Sequence, residues 1–157
     1  MSAENLPVHY VTTVLWITES YHEFAAMKGL INARNRVRSC IVMPITVEDR
    51  DRIKIARLMY SNQKKQDLTY CVPHNVLEKG AYRVRITGIV HAPTEEKAAE
   101  VFMLRLALAP VGEDYEVTVF NPDDNWNHLY NVRIGESGQR KYVAIAGSSK
   151  RAYLPDV

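Results

Sequence analysis

The chain contains 157 residues, of which 46% are hydrophobic and 24% are charged, and its formal net charge is +2. This composition is typical of a globular domain and excludes a fibrous or disordered chain. No apolar run reaches the length that a membrane-spanning helix needs. The N-terminal stretch MSAENLPVHY lacks the basic and apolar regions of a secretory signal. We therefore expect one cytoplasmic domain that does not enter a membrane.

The charge is distributed unevenly along the chain. Between Lys28 and Lys65 there are ten Lys or Arg and only three Asp or Glu, whereas acidic residues outnumber basic ones in the remainder. A basic segment of this kind favours a surface for polyanions or a charge-complementary contact between copies of the protein.

The first half of the chain predicts a strand, a helix and a second strand. Val8–Thr18 is rich in β-branched and aromatic residues, which favour a strand. Ser20 and Glu23 have the spacing of a capping box at the start of a helix. Arg36–Val47 has the composition of a second strand, and Pro44 indicates an edge position or a bulge there.

Residues 48–60 support two interpretations. A cap at Thr46, followed by acidic residues, predicts a helix to about Tyr60. The alternation of Ile53 and Ile55 would instead suit a strand. We expect the helix, followed by a short strand (LTYCV) and a loop (PHNVLEKGA).

The second half begins with the clearest alternation in the chain, YRVRITGIV over Tyr82–Val90. Its arginines face one way and its aliphatic residues face the other, as in a strand. Thr94 is a candidate cap for a second helix. Val101–Ala109 also alternates, but its Ala, Leu and Met content favours helix. Three further strands are predicted in YEVTVFN, LYNVRI and KYVAIA.

The order strand, helix, strand therefore occurs twice, over about residues 8–47 and 82–121. Such a repeat predicts a ferredoxin-like α+β fold, with helices on a mainly antiparallel sheet and extra C-terminal strands. The plan resembles the RNA-recognition-motif family, whose sheet face binds RNA. YRVRITGIV and YEVTVFN lack that family's aromatic signature, so the resemblance implies an architecture and no binding residues.

The stretch FNPDDNWNHLYN offers Asp123, Asp124 and His128 as metal ligands. It lies between two predicted strands, and Asn, Pro and Asp are the residues that turns prefer. Neither zinc-ligand spacing nor a complete EF-hand loop is present. We therefore expect a turn, with no metal and no cofactor.

Sequence signatures of catalysis are also lacking. There is no P-loop, no GxGxxG, no GxSxG and no HExxH motif. Cys40 and Cys71 lie in apolar segments, which favours reduced and buried thiols, although a single disulfide is the alternative. These observations favour a protein that is not an enzyme.

The arginines form the most specific pattern. Arg34, Arg36 and Arg38 are spaced by two, so on a strand they would leave one face about 6.7 Å apart and follow the phosphates of a single strand. A solvated outer face is the alternative. The predicted nucleic-acid-binding residues are Arg34, Arg36, Arg38, Arg83, Arg85 and Arg133, with Phe120 or Tyr142 for stacking.

Two classes of function fit these patterns. The first is a small protein that binds single-stranded RNA or DNA through its arginines. The second is a structural protein that assembles with copies of itself, such as a component of a viral or phage particle. A metal-dependent nuclease is the third hypothesis, and it depends on the acidic turn alone.

Overall fold

The computed structural model describes residues 6–39, 43–60, 65–66, 81–121 and 125–155. Within these ranges two helices pack on one face of a nine-stranded antiparallel sheet. The elements are β1 (Val8–Thr18), α1 (His22–Arg38), β2 (Met43–Glu48), β3 (Lys54–Tyr60), β4 (Lys65–Gln66), β5 (Ala81–His91), α2 (Glu95–Leu108), β6 (Asp114–Asn121), β7 (Trp126–Ser137), β8 (Arg140–Ile145) and β9 (Ala152–Tyr153).

The strand order is β4-β3-β2-β1-β5-β6-β7-β8-β9, with the eleven-residue β1–β5 ladder at its centre. Each helix connects two strands that are adjacent and antiparallel, so neither helix is the crossover of a parallel βαβ unit. The α+β class and the antiparallel sheet agree with the prediction, whereas the ferredoxin-like arrangement is not confirmed. Both helices run across the strands: α1 contacts β1 and β5 to β8, and α2 contacts β5 and β1 to β3.

The helices approach the sheet closely because their buried faces carry small residues. Ala25, Ala26 and Ala33 of α1 are fully buried. Gly29 lies over β5, where an added Cβ would be 2.6 Å from Cγ1 of Val84. This close contact positions α1 on one face of the sheet, and no helix of the described residues lies on the opposite face.

The first boundary between helix and strand differs from the prediction. Helix α1 continues to Arg38, and β2 begins only at Met43, so the strand predicted from Arg36 is wrong over its first residues. The helix begins at His22 without a side-chain cap, so Ser20 does not cap it. Leu30, Ala33 and Val37 have helical spacing and are buried, and their burial determines the local structure.

Of the two predictions for Pro44, the edge position is wrong because β2 is an interior strand. The strand does contain a register shift, but it lies between Val47 and Glu48 and not at the proline. The β1–β2 pairs run only from Tyr10 opposite Glu48 to Thr12 opposite Thr46. Pro44 lies beyond the last pair, and the Thr13 hydroxyl donates to its carbonyl at 2.9 Å. A side-chain hydrogen bond thus joins the two strands where the ladder has ended.

The helix predicted for residues 48–60 is wrong, because this segment is a turn followed by β3. One Asp49 oxygen accepts hydrogen bonds from the backbone N–H groups of Asp51 (2.9 Å) and Ile53 (3.0 Å). Aspartate commonly closes turns in this way, in competition with a helix. Arg52 takes a left-handed conformation, with φ of 66°, in the same turn.

The second half follows the prediction more closely. The Thr94 hydroxyl accepts a hydrogen bond from the Lys97 N–H at 3.1 Å, and α2 continues through Leu108 to a left-handed cap at Ala109. The four strands predicted after residue 81 are present as β5 to β8. The predicted strand LTYCV, the loop PHNVLEKGA and both cysteines lie outside the described residues.

A candidate nucleic-acid interface

The face of the sheet opposite the helices, called the open face below, has a different chemistry from the helix-covered face. In β5, Val84 and Ile86 are fully buried beneath the helices, whereas Arg83 and Arg85 project to the open face. This is the alternation that the sequence predicted for the strand.

Arginine stacked on an aromatic ring is the recurring feature of the open face. In four pairs the guanidinium carbon lies between 4.2 and 4.6 Å from the ring centroid. Each such contact contributes about 0.5–1 kcal/mol at an exposed site. The pairs are Arg52 on Tyr10, Arg83 on Phe120, Arg140 on Tyr153 and Arg151 on Tyr142.

One of these pairs belongs to a row that crosses three strands. Trp16 of β1 is opposite Arg83 of β5, which is in turn opposite Phe120 of β6. The Arg83 Nε is buried and has no hydrogen-bond partner among the described residues. Arg85 is exposed and forms no hydrogen bond or ion pair with any described residue. The row therefore places aromatic rings next to two arginines that no described carboxylate neutralises.

A second group lies at the β8–β9 end of the sheet. Tyr142 is opposite Tyr153, and their ring centroids are 5.9 Å apart in an edge-to-face arrangement. Arg140 covers one ring and Arg151 covers the other. Neither arginine pairs with a carboxylate among the described residues, so this group is a second cationic and aromatic surface.

Three carboxylates on the open face form ion pairs with Arg133 and with Arg52. Arg133 of β7 donates two hydrogen bonds of 2.8 Å to Asp114 of β6, and this contact lowers the pKa of the Asp114 carboxyl. Arg52 contacts Glu48 at 3.1 Å and Glu116 at 3.5 Å. Arg83, Arg85, Arg140 and Arg151 form no ion pair with a described carboxylate.

The predicted ladder of Arg34, Arg36 and Arg38 is wrong, because all three residues lie in α1 and not on a strand. Arg34 is only 8% exposed, and its Nη1 donates to the Pro155 carbonyl at 3.4 Å. Arg36 and Arg38 are exposed in the last helical turn, where positive charge favours the helix dipole. Only Arg83, Arg85 and Arg133 of the six predicted residues share the open face.

The predicted metal ligands of the acidic turn are only partly among the described residues. Asp123 and Asp124 lie outside the described residues. The His128 imidazole stacks on that of His22 with 3.6 Å between ring centroids. Among the described residues, no group of three or more His, Cys, Asp or Glu side chains is placed to hold a metal ion. Likewise, none of the described helices is long and apolar enough to cross a membrane.

Among the described side chains of the open face, sequence reasoning missed Arg52, Arg140 and Arg151. A usable signal existed for two of them. Arg140 with Tyr142, and Arg151 with Tyr153, repeat an Arg-x-Tyr pattern, and residues two apart on a strand share a face.

Comparison with protein-family models, with curated protein sequences and with solved structures finds no match to this chain. The fold and the candidate site define an α+β protein in which the sheet face opposite the described helices carries arginines and aromatic rings.

Proposed function

We propose that this protein binds single-stranded nucleic acid, RNA or DNA, on the open face of its sheet. The observation that carries the proposal is the set of four arginine–aromatic stacks on the sheet face that no described helix covers, together with Arg83 and Arg85, which no described carboxylate neutralises. Proteins that bind single strands combine these two elements, because bases stack on aromatic rings and cations contact the phosphates.

The shape of the surface favours a single strand over a duplex. The major groove of B-DNA admits a helix or a two-stranded ribbon, whereas the rings of Trp16 and Phe120 belong to β1 and β6 of a broad sheet, with β5 between them. Bases reach such rings only when they are unpaired. Arginine also suits phosphate recognition, since its planar guanidinium donates two parallel hydrogen bonds.

Self-assembly through the open face is the competing proposal, and exposed apolar residues favour it. Ile89 and Leu129 on this face are 53% and 66% exposed. A symmetric contact between two open faces, however, would bury the uncompensated Arg83 and Arg85 of both copies in one interface. Like charges placed together there would cost several kcal/mol, so we favour the polyanion as the occupant.

The test compares two double variants that remove the same number of charges. Binding of single-stranded RNA and DNA is measured by fluorescence anisotropy at several salt concentrations. For Arg83→Gln/Arg85→Gln, the slope of log K against log[salt] should become shallower by about 1.4 units, since each phosphate contact contributes about 0.7. The matched control Arg36→Gln/Arg38→Gln lies on the helical side and should keep the slope of the parent.

Two outcomes would overturn the proposal. One is that the parent binds no single-stranded oligonucleotide at about 50 mM salt. The other is that both double variants change the slope equally, which would show that total charge and not the open face determines binding. Sedimentation of the same proteins tests the competing proposal, because assembly through the open face would change the oligomer distribution only in Arg83→Gln/Arg85→Gln.

A further inference from the structure

A cleft of about 520 Å³ lies on the open face, between β7, β8 and the turn that follows β8. On the basis of the proposed function, we infer that this cleft holds one unstacked base of the bound strand and prefers guanine. Its volume falls within the range of small-molecule sites. The cleft is lined by, among others, Asp114, Asn131, Arg133, Gly135, Tyr142 and Ala144.

The cleft exists because two neighbouring positions carry little or no side chain. Gly135 of β7 is opposite Tyr142 of β8, and Ala144 is opposite Arg133. The Tyr142 ring leans over Gly135 so closely that an added Cβ would be 2.4 Å from its Cζ. The Tyr142 ring therefore forms one wall of the cleft, and the small side chain of Ala144 leaves space at the bottom of the cleft beside it.

The opposite wall is held in place by backbone hydrogen bonds. The Ala146 N–H donates to the Asn131 carbonyl at 2.8 Å, and the Ser148 N–H donates to the Ile145 carbonyl at 2.9 Å. Gly147 completes the turn with φ of 81°, a conformation that favours glycine. The cleft is thus shaped before any ligand arrives, and preorganisation of this kind lowers the cost of binding.

The polar groups of the cleft are arranged to recognise the edge of a base. Asp114 holds the Arg133 guanidinium through its Nε and Nη2 atoms. A guanidinium has five N–H donors, so donors remain for a ligand. The Asn131 side chain makes no hydrogen bond with a described residue, and its amide offers both donors and an acceptor.

This combination suits guanine better than the other bases. Arginine pairs with the adjacent O6 and N7 acceptors of guanine, and this is the commonest specific contact between a side chain and a base. The Asn131 carbonyl oxygen is available to accept a hydrogen bond from the base amino group. Adenine presents an amino group where guanine presents O6, which would leave one Arg133 donor facing another donor.

The experiment uses oligouridines of about ten nucleotides, a length within the range that single-strand sites cover. One oligomer carries a single central guanosine and the other carries none. The parent should bind the guanosine oligomer about tenfold more tightly, since a good bidentate pair provides about 1–3 kcal/mol of discrimination and 1.4 kcal/mol is tenfold.

Two variants should abolish this preference. Asn131→Ala leaves the four arginine–aromatic stacks in place and should keep the parent's affinity for oligouridine, whereas Gly135→Ala moves the ring on which Arg151 stacks and should also weaken oligouridine binding. Asn131→Ala removes the amide. Gly135→Ala forces the Tyr142 ring away from its wall, and because only the free end of that side chain must move, the protein should fold normally, which a thermal melt verifies.

The binding data for the two oligomers distinguish loss of the base cleft from loss of the whole nucleic-acid interface. Equal binding of both oligomers by the parent, or a guanosine preference that survives in both variants, would overturn the base cleft but not the nucleic-acid interface. Absence of binding to either oligomer would overturn both.

Discussion

The two faces of the sheet are built from alternate residues of the same strands, yet they obey different rules. Neighbouring Val84 and Arg85 of β5 illustrate this, because one is fully buried under the helices and the other is exposed. The helix-covered face is specified by burial, which is the dominant stabilising effect in folding. The open face holds rings and charges that the core does not need, so function should be sought on that face.

The largest effect that should separate the two regions comes from replacing the same residue type in each. Phe102 of α2 is 1% exposed in the core, whereas Phe120 is on the open face beneath Arg83. We expect Phe102→Ala to lower the free energy of unfolding by about 3–5 kcal/mol, through the lost burial and the cavity left behind. Phe120→Ala should lower it by less than half as much.

Denaturant unfolding measures both phenylalanine variants, and binding of single strands should show the reverse order. Phe120→Ala is expected to weaken binding by about 1–3 kcal/mol, the usual contribution of a stacked base. Equal losses of stability in the two variants would contradict the distinction between the faces.

A smaller effect is expected where α1 contacts the sheet. Gly29→Ala would place a methyl group 2.6 Å from Cγ1 of the fully buried Val84. Overpacking of this kind costs about 1–3 kcal/mol, which should exceed the gain of about 1 kcal/mol in helix propensity. Adding Val84→Ala should recover part of the loss because it makes room. If the single variant is more stable than the parent, the helix is not held as closely as the structure describes.

A buried polar pair on the open face gives the next effect. Oγ1 of Thr12 and Oγ1 of Thr87 are 2.8 Å apart, and both residues are almost fully buried. Thr12→Val should cost about 1 kcal/mol or more, because the Thr87 hydroxyl loses its partner. The double variant Thr12→Val/Thr87→Val should be nearly neutral, so a thermodynamic cycle measures the coupling. Additive losses would mean that the pair is not a buried hydrogen bond.

The smallest effect is expected from acid. The pKa of Asp114 is lowered by its hydrogen bonds to Arg133, so its stabilising contribution is present above the unfolded value of about 3.9 and is lost as the pH falls through the folded pKa. The parent should therefore be slightly more stable than Asp114→Asn at neutral pH, and the difference should vanish in strong acid. Thermal melts across this pH range measure it. A difference that grows in acid would have the wrong sign.

How far the sequence predicts the fold depends on whether two periodicities compete. In β5 only the strand pattern fits, and the prediction agrees with the structure. Near Arg36 the arginines alternate as in a strand, whereas Leu30, Ala33 and Val37 repeat as in a helix, and the helix forms because those three side chains become buried. That burial depends on contacts with distant strands, which local spacing does not reveal.

Two further errors arose for different physical reasons. The acidic residues after β2 suit the first turn of a helix, but Asp49 closes a turn with its own side chain, and both outcomes are compatible with the same composition. For the candidate site, Arg83 and Arg85 were identifiable because their strand was. Arg52 was not, because it lies in an irregular turn, in a left-handed conformation, and no strand alternation predicts its contact with Tyr10.

The central β1–β5 ladder also has a consequence for how the chain folds. It pairs Val8 with His91 and Thr18 with Ala81, so it closes a long segment of chain that contains α1, β2, β3 and β4. The chain loses loop-closure entropy before such distant pairings can stabilise it. Folding rates therefore fall as the sequence separation between contacting residues increases. The remaining ladders join strands that are closer in sequence. They pair β1 to β4 with one another and β5 to β9 with one another. We therefore expect the joining of β1 and β5, which also brings each helix onto strands of the other half of the chain, to be the slow step of folding.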